Sequence, residues 1–517
     1  MEKNYLSLSR SSDLSSLKER ILYKSFEVLP GFLSIGTLLA AFILSWLAPL
    51  VAAIFIIIFD FFWLLRISYL SCHQIVSYRE MKKNIKINWT ERLDQLPKEK
   101  YSISTSNWRD IFHLIILPVY KENIEIIKST LQSLKETSYP KEKMIIVLTV
   151  EERAGEKAKK TAEKVKKEFN KNFLKVLVTV HPKKISGEIT GKGANVFWAI
   201  NKTKEKILNI SKIPQENIIV SIFDIDTKPF PQYFTCLTWC YLTSKKPLKS
   251  SYQPIPLYNN NVWQAPSFSR VIATSGTFWQ MMQQERREQL VTYSSHSIPF
   301  KVLNEVGYPK NMVSDDSRIF WKSFLYYDGN YRVIPLHYPV SMDAVLAKSL
   351  TKTIVNQYKQ QRRWAWGCEN IPYIIFGFIK NKKISLKEKI YHTLIILEGF
   401  WSWAVVALLI FFLGWLPLIM GDEAFRTTLL SYNLPRFTGY LMTAAMIGMV
   451  VSAIVSLLVL PPPPPKINGW KRIFMVLQWF LLPVTLIVFG SFPCLDAQVR
   501  LILGKYLGFW ATEKNRK

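Results

Sequence analysis

Three short motifs in this chain of 517 residues carry side chains able to do chemistry: Asp224-Ile-Asp226, Asp315-Asp316 and Gln360-Gln-Arg-Arg363-Trp364. Alternate residues of an extended segment point to the same side. Asp224 and Asp226 can therefore present both carboxylates to one pocket just where the apolar run Ile218 to Phe223 ends. Hard oxygen ligands of this kind suit Mg²⁺ or Mn²⁺, which keep few protein ligands and take the rest from phosphate and water. Asp315-Asp316 opens an amphipathic stretch, Ser-Arg-Ile-Phe-Trp-Lys. Two readings stand: carboxylates stabilised by a helix N-terminus, or a general base within reach of an acceptor hydroxyl. On a helix, Gln360, Arg363 and Trp364 fall at i, i+3 and i+4 and share a face. That face offers a carboxamide for a hydroxyl, a guanidinium for phosphate oxygens and an indole for an apolar ring surface.

The elements that must bring these motifs together are of two kinds. From Ile111 to His337 the chain alternates β-rich runs (Ile111 to Pro118, Met144 to Val150, Leu174 to Val180, Ile218 to Phe223) with charged, periodic stretches (Glu122 to Glu136, Glu156 to Phe169, Ala194 to Leu208). Strand, helix, strand in sequence predicts a parallel α/β sheet whose ligands gather at the strands' carboxyl ends. On either side lie apolar segments of membrane-crossing length. Gly31 to Leu47 and Leu50 to Leu70 form an expected hairpin about Ala48-Pro49, and Ile395 to Met420, Tyr440 to Leu460 and Phe474 to Phe492 follow the polar middle. The resulting division is 1–28 a tail, 29–70 a transmembrane hairpin, 71–385 the catalytic domain with an interface helix, 386–495 further transmembrane helices and 496–517 a basic tail. Asp60 stands inside the second apolar segment, where a carboxylate is costly and calls for a structural partner.

Charge sets the orientation. Arg79-Glu-Met-Lys-Lys after the hairpin is basic, which places the polar middle in the cytoplasm by the positive-inside bias. Lys466, Lys471 and Arg472 put the Pro461 to Pro465 run on the same side. Three further crossings would then leave the tail Lys505 to Lys517 outside, although its basic residues favour the inside; either the last segment turns back near Pro493 or a crossing is miscounted. The net charge of +29 serves anionic lipid and diphosphate donors, and no groove-reading motif points to nucleic acid. Five scattered cysteines fit neither a disulfide framework nor a zinc site.

Together these residues resemble the motif set of family 2 glycosyltransferases, in particular the membrane-embedded branch of cellulose, hyaluronan and mannan synthases. Leu117-Pro-Val-Tyr-Lys-Glu122 resembles that family's opening strand and loop, Gly191-Lys-Gly-Ala-Asn195 its lysine-containing stretch, Ser314-Asp-Asp316 its T-E-D motif and Gln360 to Trp364 its Q-x-x-R-W. The resemblance implies a GT-A sheet, with Asp226 and Asp224 holding Mg²⁺ or Mn²⁺ and Asp316 as the base. Pro118, Lys192, Asp224 and Arg363 would hold the nucleotide sugar, and Asp315, Gln360 and Trp364 the acceptor. Glu151 or Glu152 stands where the family has aspartates for the nucleoside. Tyr293-Ser-Ser-His296-Ser replaces a glycine-containing acceptor loop, so that His296 could bond a sugar hydroxyl. Phe509-Trp-Ala-Thr-Glu-Lys514 is loosely similar to a gating segment.

The expected activity is inverting, metal-dependent transfer of a hexose from a nucleotide-diphosphate sugar to a growing polysaccharide at a plasma or inner membrane, with membrane lipids as neighbours. Single-sugar transfer to a membrane lipid, as by ceramide glucosyltransferases, is the alternative. A non-catalytic nucleotide-binding scaffold or transporter is a third reading, weakened because a mere binder has no use for both Asp316 and the metal pair.

Overall fold

A computed structural model describes residues 4–464 and 469–510. Two long apolar helices, α1 (Leu17–Leu47) and α2 (Pro49–Lys86), lead into the sheet domain, turning at Ala48 with Pro49 as the first helical residue of α2. The apolar runs read from the sequence are the middles of these longer helices.

Strands β1 (Phe112–Val119), β2 (Met144–Glu151), β3 (Lys175–His181) and β4 (Ile218–Ile222) lie within two residues of the expected runs, with helices α3 (Ile124–Lys135), α4 (Glu156–Phe169) and α5 (Lys192–Thr203) between them. Helix α3 starts where the Asn123 side chain accepts the Glu125 N–H, and it buries Ile126, Ile127, Thr130, Leu131 and Leu134. Helix α4 buries Ala158, Ala162, Val165 and Phe169, a stripe at i, i+4, i+7 and i+11. Each Val, Leu, Ile or Phe side chain removed from water on such a stripe contributes about 1.5–3 kcal/mol, and each alanine less. That burial presses both helices on the sheet.

The sheet is mixed, which corrects the expectation of a parallel doubly wound one. Its order is β3-β2-β1-β4-β7-β6-β8-β5. Strands β3, β2, β1 and β4 run parallel to one another. Strand β7 (His296–Pro299) joins β4 antiparallel, β6 (Ser250–Leu257) pairs antiparallel with β7 at Tyr252 and Ser297, β8 (Arg332–Ser341) runs parallel to β6, and the two-residue β5 (Lys228–Pro229) closes the edge. Prolines explain why this half is hard to read. Pro254 lies at a register shift between Gln253 and Ile255, and Pro335 and Pro339 occupy β8. Proline lacks the N–H a ladder needs and is tolerated at edges and bulges.

Helix α6 (Ser267–Glu285) packs beside β6, and α7 (Asp315–Tyr326), α8 (Leu350–Ala365) and α9 (Asn370–Lys380) follow. The start of α7 is anchored from below. Fully buried Arg318 donates to Asn370 Oδ1 (2.6 Å), the Leu8 carbonyl (3.0 Å) and the Glu369 carbonyl (3.1 Å), and stacks on Tyr373. Glu369 Oε1 accepts the Ser314 N–H at 2.9 Å.

Helices α10 (Leu386–Phe411) and α11 (Leu429–Leu458) complete four long apolar rods, and Ile473–Ile502 is a fifth segment long and apolar enough to cross a membrane. The fifth is held to the sheet domain along its length. Gln478 accepts from Arg270 of α6 (2.7 Å), Phe489 stacks on Phe268, and Asp496 accepts from Arg362 of α8 (2.8 Å). A rod spanning a bilayer of about 30 Å would separate its ends. Both ends of this one meet a single domain. Pro493 falls in the first turn of a helix running Phe492–Ile502, so the chain does not turn back there. The carboxyl-terminal stretch then reaches the amino-terminal one, where Tyr506 donates to Glu27 Oε1 (2.8 Å). Pro465, Lys466 and residues 511–517, including Thr512 and Lys514 of the gating-like segment, lie outside the described residues.

Candidate active site

Strand β4 ends at Ile222, and its two aspartates follow one turn of backbone later. Asp224 Oδ1 pairs with the Lys192 ammonium at 2.6 Å, and its Oδ2 accepts the Ser294 hydroxyl at 2.7 Å. Asp226 is fully buried; its Oδ2 accepts the Asp343 N–H (2.8 Å) and its carbonyl accepts from Asn260 (2.9 Å). Asp316, half-buried in the first turn of α7, accepts the Ser294 N–H on Oδ2 (2.8 Å) and the Ser317 N–H on Oδ1 (2.9 Å). Both sequence readings of this pair therefore meet in one place, a carboxylate at a helix start that also faces the β4 aspartates.

Ser294 is the hub. Its hydroxyl binds Asp224, its N–H binds Asp316 and its carbonyl accepts from Lys192 at 3.1 Å. It does so with φ at +46°, a left-handed conformation that a serine adopts only at a cost. Three backbone and side-chain bonds offset that cost. Burial alone would lower the pKa of Lys192, but Asp224, Asp315 and Asp316 outweigh it and hold the ammonium protonated above its ordinary range. Asp315 is pushed up to about 7, chiefly by burial, with Asp316 adding to the rise and Lys192 opposing it; the Tyr308 hydroxyl donates to it at 2.8 Å.

On α8, Gln360 is buried and Arg363 and Trp364 are half-buried. The Trp364 ring lies 6.1 Å from the Tyr258 ring at an angle of 40°. Burial raises the Tyr258 hydroxyl above its ordinary pKa, and the charges of Asp224, Asp226 and Asp316 raise it further while Arg363 opposes them. Tyr258 is thus within electrostatic reach of all three motifs. The Arg363 guanidinium lies over the Phe509 ring at 5.2 Å, and its buried Nε has no hydrogen-bond partner among the described residues. Phe509 also covers Gly191, where any Cβ would fall 2.5 Å from the ring.

At the same carboxyl end of the parallel strands, Pro118 pairs in register with Thr149 beside the end of β2. Glu151 forks onto Arg153 (2.6 and 3.2 Å), whose guanidinium lies 4.7 Å over Tyr120, and Glu152 accepts the Lys183 N–H at 2.8 Å. Two residues considered for the acceptor are enclosed. Asp315 packs against Gly193 and Tyr308, and His296 is fully buried in β7 with neither ring nitrogen bonded, its pKa lowered to about 3 first by burial and then by Lys192.

Sequence reasoning missed Ser294, Tyr258, Asn260 and the Asp343 N–H. Nothing in Tyr293-Ser-Ser-His296 marks a left-handed serine. For Tyr258 a signal exists, since Leu257-Tyr-Asn-Asn-Asn reads as the end of a strand and the start of a turn.

Gly193 supplies a stability test of this packing. A Cβ there would meet the Pro309 carbonyl oxygen at 2.6 Å and Asp315 Cβ at 2.9 Å, and the first of these is backbone. Gly193→Ala is expected to cost about 1–3 kcal/mol through overpacking. Thermal unfolding of the purified variant should show a lower midpoint, with reduced activity as α5 and α7 are pushed apart; a wild-type midpoint would contradict the close approach.

The donor set suits a hard divalent cation in one respect, because two aspartates stand at alternate positions just past the end of β4, a place where a diphosphate could supply further oxygens. Among the described residues no third His, Cys, Asp or Glu joins them in a metal cage.

No family model matches the chain, and no curated protein does. Among solved structures, the mannosyltransferase PcManGT from Pyrobaculum calidifontis, in complex with GDP-Man and Mn²⁺, is similar at 15% identity over 84% of this chain and 99% of its own, with a TM-score of 0.38. Staphylococcus aureus TarS 1-349 in complex with UDP-GlcNAc is similar at 9% identity over 76% of this chain and 92% of its own, with a TM-score of 0.35. At TM-scores below 0.5 these likenesses carry no weight in assigning fold or activity.

Proposed function

We propose that the protein is an inverting, metal-dependent glycosyltransferase of the family 2 type, moving a hexose from a nucleotide-diphosphate sugar to a growing polysaccharide at the cytoplasmic face of a membrane. The observation that carries this reading is the Ser294 bridge, which holds Asp316 and Asp224 to one residue beside the Lys192 ammonium. A carboxylate able to take a proton and a cation able to hold a diphosphate are what sugar transfer requires on its two sides.

Asp316 takes the proton of the acceptor hydroxyl as that oxygen bonds to the anomeric carbon. The bond from that carbon to the diphosphate breaks, and its electron pair leaves with the diphosphate. Attack from the face opposite the leaving group inverts the configuration. Lys192 supplies fixed positive charge where negative charge develops on the leaving group, and Arg363 offers a guanidinium once Phe509 moves off it. Trp364 and Tyr258 form an aromatic wall against which a sugar ring can lie. Mg²⁺ or Mn²⁺, held by Asp224 and Asp226, would act as a Lewis acid on the diphosphate. Glu151 and Glu152 at the end of β2 are placed for the nucleoside, while Asp315 and His296 support the floor from behind.

The test is to incubate membranes containing the protein with a panel of labelled nucleotide sugars and to size the product. A polymer supports the leading reading, and a single-sugar lipid selects the alternative acceptor. No transfer from any donor, with nucleotide still bound, would leave only the scaffold reading. Chelation of divalent cations is expected to abolish transfer and added Mn²⁺ or Mg²⁺ to restore it.

A further inference from the structure

Away from this site, a cavity of about 310 Å³ opens where α2, α10 and the segment after α6 meet. Three charged groups line it: Arg66, Arg286 and Glu398. Arg66 forks onto Glu398, with Nη1 to Oε1 at 2.5 Å and Nη2 to Oε2 at 2.9 Å, and lies over the Trp63 ring at 4.7 Å. Arg286 has no carboxylate of its own there. Its buried Nε lacks a hydrogen-bond partner among the described residues. One carboxylate against two guanidiniums leaves a surplus positive charge in the cavity.

The rest of the lining is Tyr69 with Leu70, Leu394 and Ile395, and the Tyr69 and Leu394 side chains are more than half exposed. The cavity lies at the inner edge of the apolar spans. Residues 399–420, just beyond Glu398, carry no charged side chain, and between Pro49 and Arg66 the only one is Asp60. At 1.5 Å per residue, Arg66 stands about 25 Å along α2 from Pro49, close to the far boundary of a hydrocarbon layer about 30 Å thick. A basic recess with an apolar, outward-facing mouth at that depth suits a phosphate carrying acyl chains.

We propose that this cavity binds the phosphodiester headgroup of an anionic phospholipid, with Arg286 as the principal phosphate ligand and Arg66 as the second. The acyl chains lie along Leu394 and Ile395. The inference rests on the membrane placement proposed above, which incorporation of the full chain into lipid discs tests separately. It is independent of the sugar chemistry.

The experiment uses the full chain in discs of phosphatidylcholine with a minor fraction of phosphatidylglycerol, released and weighed by native mass spectrometry. Wild type and the neighbouring exposed control Arg287→Gln should retain one phosphatidylglycerol in preference to phosphatidylcholine. Arg286→Gln should lower that retention about fivefold or more, the effect of one lost cationic contact. Excess inorganic phosphate should not displace the lipid; displacement would mark a free-phosphate site and overturn the proposal. Equal retention in Arg286→Gln would overturn it as well. If that variant unfolds, Glu398→Gln decides, because freeing Arg66 from its carboxylate should increase retention, and unchanged or reduced retention refutes the assignment.

Discussion

Asp316→Asn is expected to bind donor as wild type does and to turn it over about 10²–10⁴-fold more slowly, the range for loss of a positioned general base. The amide oxygen can still accept the Ser294 N–H, so the loop that connects α7 to Asp224 keeps its place. The amide nitrogen then faces the Ser317 N–H that Oδ1 now accepts, a donor opposite a donor that costs about 1–3 kcal/mol of stability. Donor titration, single-turnover kinetics and a melting curve on the same preparation separate the three effects. Turnover at the wild-type rate would remove Asp316 from the mechanism whatever the melting curve shows.

The second large effect is expected at Lys192. Its ammonium is the group whose charge faces Asp224, Asp315 and Asp316 together, and it is nearly enclosed. Lys192→Met keeps the volume and removes the charge. Loss of a preorganised electrostatic contact to a leaving group costs about 10²–10³ in turnover. A diphosphate contact shared by ground and transition states would appear in KM as well. Without its cation the three carboxylates also repel one another, so Asp315 should hold its proton to still higher pH. A variant with normal kcat and normal KM would show that Lys192 serves the fold alone. Lys192→Arg should not rescue, because the planar fork needs room that Ser294 and Asp224 occupy.

The parallel half of the sheet was legible because its strands are continuous apolar runs closed by turn residues, and β2 is buried at every position. The antiparallel half was not. Strand β6 reads Ser-Ser-Tyr-Gln-Pro-Ile-Pro-Leu, β7 has four residues and β8 carries two prolines, so alternation and propensity both fail there. Carboxylates could be picked out by type and by their position at a strand end or helix start. The groups that join them could not, since Ser294 acts through an unusual φ and Asp343 through a backbone N–H, neither of which a side-chain alphabet records. The apolar run Phe474 to Phe492 was also visible, within the longer segment Ile473–Ile502, but its partners Arg270 and Arg362 were not, since hydropathy does not record what a segment touches.

The contacts of that segment bear on a question of parity. An odd number of passages through a lipid layer would strand the two extremities of a polypeptide in different compartments, whereas four passages return the chain to where it began. The bond that Tyr506 donates to Glu27 is one that an even number of passages allows. On the reading proposed above, the donor-binding face, Glu27 and Tyr506 then meet the same solution, and the protein can be supplied, inhibited or docked by partners from a single side.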